Sequence, residues 1–319
     1  MNYEVFKDEV LKKIEELTRE DNLVIMQKSM YKNNGLKLDG LVIKEIDSEI
    51  APIIYINEWY EEYLKGKTIE EIADGILLLS GSVIAEDVVP TVPEINWESV
   101  KDKLYVSVIN ADTNEELLKE TPHRRIDDLA VIARIRVEQP ELNNASIRVT
   151  NTVLTMLTKT KDEVLNQAVS NTEKLDFTCR TIKEMLCEML GGESEIVDEL
   201  FPVEKENPMF VVTLPNGVDG ASVLACKEAL TRMTDKVGED VYILPSSIQE
   251  IILIPKSVGV ELEDLQEMVS DVNRSEVAPS EVLSDNVYQF DRKTKKLSIA
   301  KTDEDMEKKN IFKKVQISM

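Results

Sequence analysis

Apolar positions at the start of the chain repeat first with the period of a helix and then with that of strands. Four of them have the spacing of the buried stripe of an amphipathic helix: Phe6, Val10, Ile14 and Leu17. Strands are predicted next at 22–31 and 36–46. The Asn34-Gly35 pair between them accepts the positive φ angles that a hairpin turn requires. A third strand at 52–56 completes a small unit of one helix and three strands.

Later patterning alternates between helices and strands. Thr68 and Glu71 have the spacing of a capping box and predict a helix start. Residues 105–109 fit either a strand or a continued helix, whereas 128–137 is apolar enough for a strand. Beyond residue 208 the pattern is strand, helix, strand, strand, helix. The chain therefore predicts an α+β fold, with mixed or antiparallel sheets and helices packed on one face.

An acidic stretch suggests a division of the chain. Residues 193–206 carry six acids and one lysine, and a glycine pair precedes them. We therefore expect two lobes joined by a linker and followed by a tail. The segments are an N-terminal α+β lobe at 1–190, an acidic linker at 191–208, a C-terminal α+β lobe at 209–290 and a basic tail at 291–319.

Gly40 predicts a bulge in the second strand.

Charge narrows the possible functions. The 319 residues include 61 acidic and 38 basic side chains, a net charge of −23, and 42% of them are hydrophobic, enough for a core. A phosphate backbone would be repelled by this surface, which excludes a protein that coats nucleic acid. The negative charge is unevenly distributed along the chain, because residues 291–314 have a net charge of +4 and residues 1–290 have a net charge of −27.

The N-terminal sequence and the cysteines indicate the cellular compartment. The charged N-terminus has neither the basic nor the apolar region of a signal peptide. No run approaches the roughly 18 apolar residues of a membrane span. The cysteines, at 179, 187 and 226, are odd in number and widely spaced, unlike a disulfide framework. We expect a soluble, cytoplasmic protein.

Five blocks of sequence resemble one known family. They are Tyr60–Tyr63, Thr121–Arg124 followed by Asp128-Leu129-Ala130, Tyr242–Ser247 with Glu250, Val272-Asn273, and Glu281–Tyr288. Together they resemble an uncharacterised bacterial family, domain-of-unknown-function family five-six-eight-eight. The resemblance spans nearly the whole chain and implies one integrated unit with no assigned activity. The family often has a histidine at the position of Gln249 and near Asn286, so neither position can be an indispensable imidazole here.

His123, the only histidine, leads the first candidate site. Arg124 follows it directly and Asp128 comes five residues after it. One interpretation is a general base or a phosphate-binding corner, since guanidinium groups bind phosphate bidentately. The other is a loop whose charges pair with the acidic surface. We favour the loop, because isolated ion pairs are common and usually structural.

The second candidate is the turn that contains Ser246 and Ser247, with Glu250 shortly after it. A serine nucleophile needs a neighbouring base, and no Gly-x-Ser-x-Gly elbow surrounds either residue. We favour the alternative in which both hydroxyls bond to backbone groups of a tight turn.

Metal and nucleotide sites lack their sequence signatures. Cys179 and Cys187 stand eight apart, without the Cys-x-x-Cys pair of a zinc site. In the hairpin at 36–45, Val42 occupies the place of the second acid of a Mg²⁺-dependent nuclease. No glycine-rich phosphate loop is present. The sequence predicts no cofactor and no metal.

These observations favour a non-enzymatic binding or regulatory protein. Its acidic surface is complementary to a basic protein partner, and we expect no membrane contact. Nucleic acid would be contacted only by the tail at 291–314, which we instead expect to neutralise its own domain. The alternative is a hydrolase or phosphate-processing enzyme that uses His123–Asp128 or the Ser246/Ser247 turn with a carboxylate-bound metal.

Overall fold

The structure is a computed structural model whose described strands form three antiparallel sheets, which confirms the α+β class. The residues it describes are 1–19, 21–46, 53–85 (82–85 by backbone alone), 95–137, 145–189, 191 and 208–301. They divide into two units, one up to residue 85 and one from residue 95 onward. No helix in these ranges is long and apolar enough to cross a membrane.

The first unit is a three-stranded sheet covered by helices. Its elements are α1 (Tyr3–Leu17), β1 (Leu23–Tyr31), β2 (Lys37–Glu45), β3 (Ile53–Tyr55), α2 (Ile56–Leu64) and α3 (Ile69–Ala85). The predicted stripe of α1 is confirmed at Phe6, Val10 and Ile14, which are fully buried, and is wrong at Leu17, which ends the helix and is exposed. The three buried residues form one core with Leu41 of β2 and Ile72 of α3, and burial of this apolar surface stabilises the unit.

The hairpin of β1 and β2 turns as predicted but has no bulge. Asn34 and Gly35 have φ angles of 58° and 69°, the left-handed values the turn requires. The predicted bulge at Gly40 is wrong, because Gly40 lies opposite Lys28 in an unbroken register. A Cβ at Gly40 would lie 2.4 Å from Cγ2 of Ile53. The glycine therefore makes room for β3.

A buried carboxylate links three elements of this unit. Asp39 on β2 is 9% exposed. Ser29 donates a hydrogen bond of 2.5 Å to its Oδ1, and Nζ of Lys7 lies 3.4 Å from its Oδ2. The hydrogen bond from Ser29, and then the charge of Lys7, hold the pKa of Asp39 below its usual value despite burial.

The second unit contains two sheets. Its elements are α4 (Trp97–Val100), β4 (Leu104–Asn110), α5 (Glu115–Lys119), β5 (His123–Ile126), β6 (Leu129–Arg136), β7 (Ser146–Arg148), α6 (Asn151–Leu157), α7 (Lys161–Thr172), β8 (Thr178–Thr181), α8 (Ile182–Met189), β9 (Phe210–Thr213), α9 (Lys227–Val237), β10 (Val241–Leu244), β11 (Ile251–Pro255), α10 (Leu262–Ser275), β12 (Tyr288–Asp291) and β13 (Lys296–Ile299). In the smaller sheet β6 pairs with β4 on one side and with β5 and β7 on the other. The larger sheet has the order β13-β12-β10-β11-β9-β8.

Both sheets of the second unit contribute to one core. Val131 of β6, Leu165 of α7, Leu253 of β11 and Tyr288 of β12 belong to the same buried cluster. Strands β8 and β9 pair although they lie on opposite sides of the predicted linker. Most of that linker lies outside the described residues, and the division into lobes at 191–208 is not confirmed.

Two segments have more structure than the sequence suggested. The segment after His123, expected as a charged loop, is strand β5, and residues 105–109 are part of β4. Residues 291–301 of the predicted tail contain the end of β12 and all of β13, and the rest lies outside the described residues. Arg292 and Lys295 pair with Asp235 and Glu228 of α9.

We predict that Asp39→Asn destabilises the first unit by about 1–2 kcal/mol at neutral pH, because it removes a charge-assisted acceptor. Since the folded pKa of Asp39 is lowered, its contribution is complete above the unfolded value and is lost as pH falls through the folded value. The variant should therefore show a shallower loss of stability on acidification.

Urea unfolding in a Trp97→Phe background checks this, because Trp59 then remains as the single tryptophan and belongs to the first unit. The exposed Asp8→Asn should match the parent protein. Equal stability of Asp39→Asn and the parent at neutral pH would contradict the role given to Asp39.

Candidate functional site

Asp128 of the first candidate site is committed to structural hydrogen bonds. It lies in the turn between β5 and β6. Ser284 donates to its Oδ2 at 2.7 Å, Asn286 donates to the same atom at 3.0 Å, and the hydroxyl of Tyr288 donates to its Oδ1. A carboxylate that accepts three side-chain donors holds the β5–β6 turn against the segment before β12.

The tyrosine in this cluster stays protonated. Tyr288 is fully buried. Burial, and then its hydrogen bond to Asp128, raise the pKa of Tyr288 far above the usual range. Its hydroxyl is therefore a permanent donor to Asp128, and this pair is better suited to holding the fold than to moving protons.

The Ser246/Ser247 turn contacts the same segment through its backbone. Leu283 donates to the carbonyl oxygen of Ser246 at 2.9 Å, and Ser247 forms an isolated bridge with Val282. The hydroxyl of Ser247 accepts from the amide of Gln249 at 3.0 Å. Ser247 therefore bonds to backbone within the turn, as we favoured. Glu250 is half-buried and directly precedes β11.

His123 and Arg124 diverge. In β5, Arg124 lies opposite Val131, whose side chain belongs to the core, and Arg124 donates to Asn166 at 3.0 Å and pairs with Asp162 of α7. His123 lies opposite Ile132 and therefore occupies the other face of the sheet. His123 and Arg124 therefore point to opposite faces of the sheet, whereas Asp128 and the Ser246/Ser247 turn both contact residues 282–286.

His123 has a defined tautomer when neutral. Its Nδ1 lies 2.9 Å from the carbonyl oxygen of Thr121. A carbonyl oxygen only accepts, so Nδ1 carries the hydrogen and Nε2 of the neutral imidazole carries the lone pair.

Four arginines share the face of the sheet that His123 occupies. Arg125 of β5, opposite Ala130, pairs with Asp112, and the other three lie on β6 and β7. Arg134 of β6 lies directly opposite Arg148 of β7 on one side and Tyr105 of β4 on the other. Arg136 lies two residues further along β6, on the same face, with its guanidinium carbon 5.4 Å from the centre of the Tyr105 ring. We name Arg134, Arg136 and Arg148 the arginine face.

No carboxylate of the described residues forms an ion pair with the arginine face. By contrast, Arg124, Arg125, Arg180, Arg274 and Arg292 each pair with one. Among the residues that the structure describes, Arg134 donates only to the hydroxyl of Ser146, at 2.9 Å. Nε of Arg148 is buried with no hydrogen-bond partner in the described part of the chain.

The arginine face is electrostatically strained. Burial, and then the charge of Arg134, lower the pKa of Arg148, and the charge of Glu120 offsets this only in part. Like charges on directly opposite strand positions destabilise a sheet. An anion placed among these guanidinium groups would relieve both the repulsion and the missing hydrogen bond.

A network of side chains borders the arginine face without neutralising it. Tyr105 and Ser107 donate to the two carboxylate oxygens of Asp219, at 3.2 and 2.5 Å. The amide of Asp219 donates to Oε1 of Gln249, whose Nε2 donates to Glu281. Burial, and then Asp219, raise the pKa of Tyr105, so its phenol remains a donor to Asp219.

Sequence reasoning missed the arginine face. The signal for its first half is the alternation Arg134-Ile135-Arg136 within a predicted strand, which places both arginines on one face. Arg148 joins them only through the register of β7, which no local pattern reveals. The described residues hold no group of three or more histidine, cysteine or acidic side chains placed to bind a metal.

The fold and this face define an α+β protein of antiparallel sheets with a candidate anion site. The model of a family of unknown function, DUF5688, matches residues 3–292, so the chain belongs to this family and the resemblance is confirmed. No curated protein and no solved structure matches the chain.

We predict that Asp128 acts on stability. Tyr288→Phe should cost about 1–2 kcal/mol through the lost donor, and Asp128→Ala about 3 kcal/mol or more through three donors left unpaired. Urea unfolding in a Trp59→Phe background measures both, since Trp97 packs on the core of the second unit.

Tyr242→Phe is the matched control, because the hydroxyl of Tyr242 has no hydrogen-bond partner among the residues described. It should lie within about 0.5 kcal/mol of the parent. A Tyr288→Phe protein as stable as this control would contradict the stabilising role given to the hydrogen bond between Tyr288 and Asp128.

Proposed function

We propose that this protein is a binding or regulatory protein that takes up a small anion on the arginine face. The observation that carries the proposal is the absence of any carboxylate partner for these three arginines in the described residues, in a chain with 61 acidic side chains. Planar guanidinium groups match the oxygens of phosphate and carboxylate bidentately, which makes arginine suited to such ligands.

The net charge limits the size of the anion. At −23 the protein repels a polyanion over its whole surface, whereas the arginine face attracts only what fits beside it. A small phosphate or carboxylate ligand satisfies both conditions. The acidic remainder of the surface is the part that we assign to a basic protein partner.

The placement of the catalytic candidates supports binding over hydrolysis. Asp128 is engaged by three donors, and the hydroxyl of Ser247 accepts from a backbone amide within its own turn. Nucleophilic catalysis needs a serine within hydrogen-bond reach of a base, and the lone histidine lies on another strand beside Ile132. His123 on the arginine face favours phosphate-ester hydrolysis as the second candidate function.

We assign the protein to the bacterial cytoplasm. The three free cysteines, Cys179, Cys187 and Cys226, support a reducing compartment. The pairing of Arg292 and Lys295 with acids of α9 supports a counter-charge role for this part of the basic segment rather than contact with nucleic acid.

We predict that Arg148→Met weakens binding of inorganic phosphate at least about tenfold, since one bidentate partner is worth about 1.4 kcal/mol or more. Without ligand, the same variant should be more stable than the parent by about 1 kcal/mol, because a half-buried and unpaired charge is removed. Isothermal titration and thermal unfolding measure the two effects.

Arg124→Met is the matched control, since Arg124 lies on the opposite face and pairs with α7. Its phosphate affinity should equal that of the parent. Equal affinities of Arg148→Met and the parent would contradict the proposed site. Release of nitrophenol from p-nitrophenyl phosphate above the buffer rate, lost in His123→Leu, would favour the enzyme instead.

A further inference from the structure

We propose that the arginine face is selective for hydrogenphosphate and that Nε2 of His123 accepts the hydrogen bond of its P–OH group. This inference rests on the proposed function, because it names the anion that the same site takes. It turns on a neutral acceptor, Nε2 of His123, that the sheet register places beside Arg148.

The sheet register brings His123 next to Arg148. Both β5 and β7 pair with the same edge of β6, with His123 opposite Ile132 and Arg148 opposite Arg134. On that edge the two side chains are two residues apart on one face, a separation of roughly 7 Å along the strand direction. A tetrahedral anion can bond to both.

Backbone and side-chain hydrogen bonds hold the two segments together. The amide of Asn151, three residues after Arg148, donates to the carbonyl oxygen of Glu120 at 2.9 Å. Its side chain donates to the carbonyl oxygen of Lys119 at 3.1 Å. The chain that enters β5 is thereby fixed beside the chain that leaves β7.

The hydrogen-bonding capacity of each group decides the selectivity. Guanidinium groups only donate, so the arginine face alone binds sulfate and hydrogenphosphate, which are both doubly charged, in the same way. Nε2 of the neutral His123 only accepts, because Nδ1 donates to Thr121. Hydrogenphosphate has an O–H to donate and sulfate has none, and sulfate therefore leaves the imidazole lone pair facing an anionic oxygen.

Titration calorimetry at about pH 7.5 with sodium phosphate, sodium sulfate and phosphoserine tests this. Phosphoserine at that pH is a dianion without an O–H, because its second pKa is about 6. The parent protein should bind phosphate about tenfold or more tightly than the other two, the effect of one half-buried acceptor that is satisfied or left facing an anion.

Two variants separate the contributions. His123→Leu should bind phosphate and sulfate equally, phosphate more weakly and sulfate no more weakly than the parent, and His123→Gln should restore part of the preference through its amide oxygen. Equal binding of phosphate and sulfate by the parent, tight phosphoserine binding, or an unchanged preference in His123→Leu would overturn this inference alone. Binding of neither anion by the parent would overturn the proposed function as well.

Discussion

The alternation of side chains along β6 is the constraint on which the second unit depends. Leu129, Val131, Ala133 and Ile135 are at most 3% exposed and belong to the core. Because successive side chains of a strand point to opposite faces, the burial of these four on one face directs the residues between them to the other face. Arg134 and Arg136 must share the other face, whatever their mutual repulsion costs.

The pairing of β6 with its neighbours completes the charged face. A shift of β7 by one residue would turn Arg148 toward the core side, so the register that buries the core also sets Arg148 against Arg134. The carboxylate bonded to Tyr105, that of Asp219, also accepts from Ser107, and among the described residues it forms no ion pair with the arginine face.

The sequence revealed most of the local structure and little of the site. The stripe of α1 as far as Ile14, the Asn34-Gly35 turn and the apolar run of β6 are local patterns, and the structure confirms them. Strand β5 was missed because His123-Arg124-Arg125 carries no apolar alternation and is held by pairing with β6. Arg124 was a candidate because it follows His123 directly, yet adjacent strand residues face apart. Arg148, far away in the chain, is the residue that the register brings to His123.

The central claim is that an anion binds among Arg134, Arg136 and Arg148. The most direct test is a ¹⁵N-resolved titration of the arginine side chains of the full chain with sodium phosphate, following each Nε–H resonance. The account predicts saturable shifts of these three resonances, largest for the buried Nε of Arg148, with Arg124 unchanged. Shifts that are absent at the arginine face, or uniform over all arginines, would contradict it.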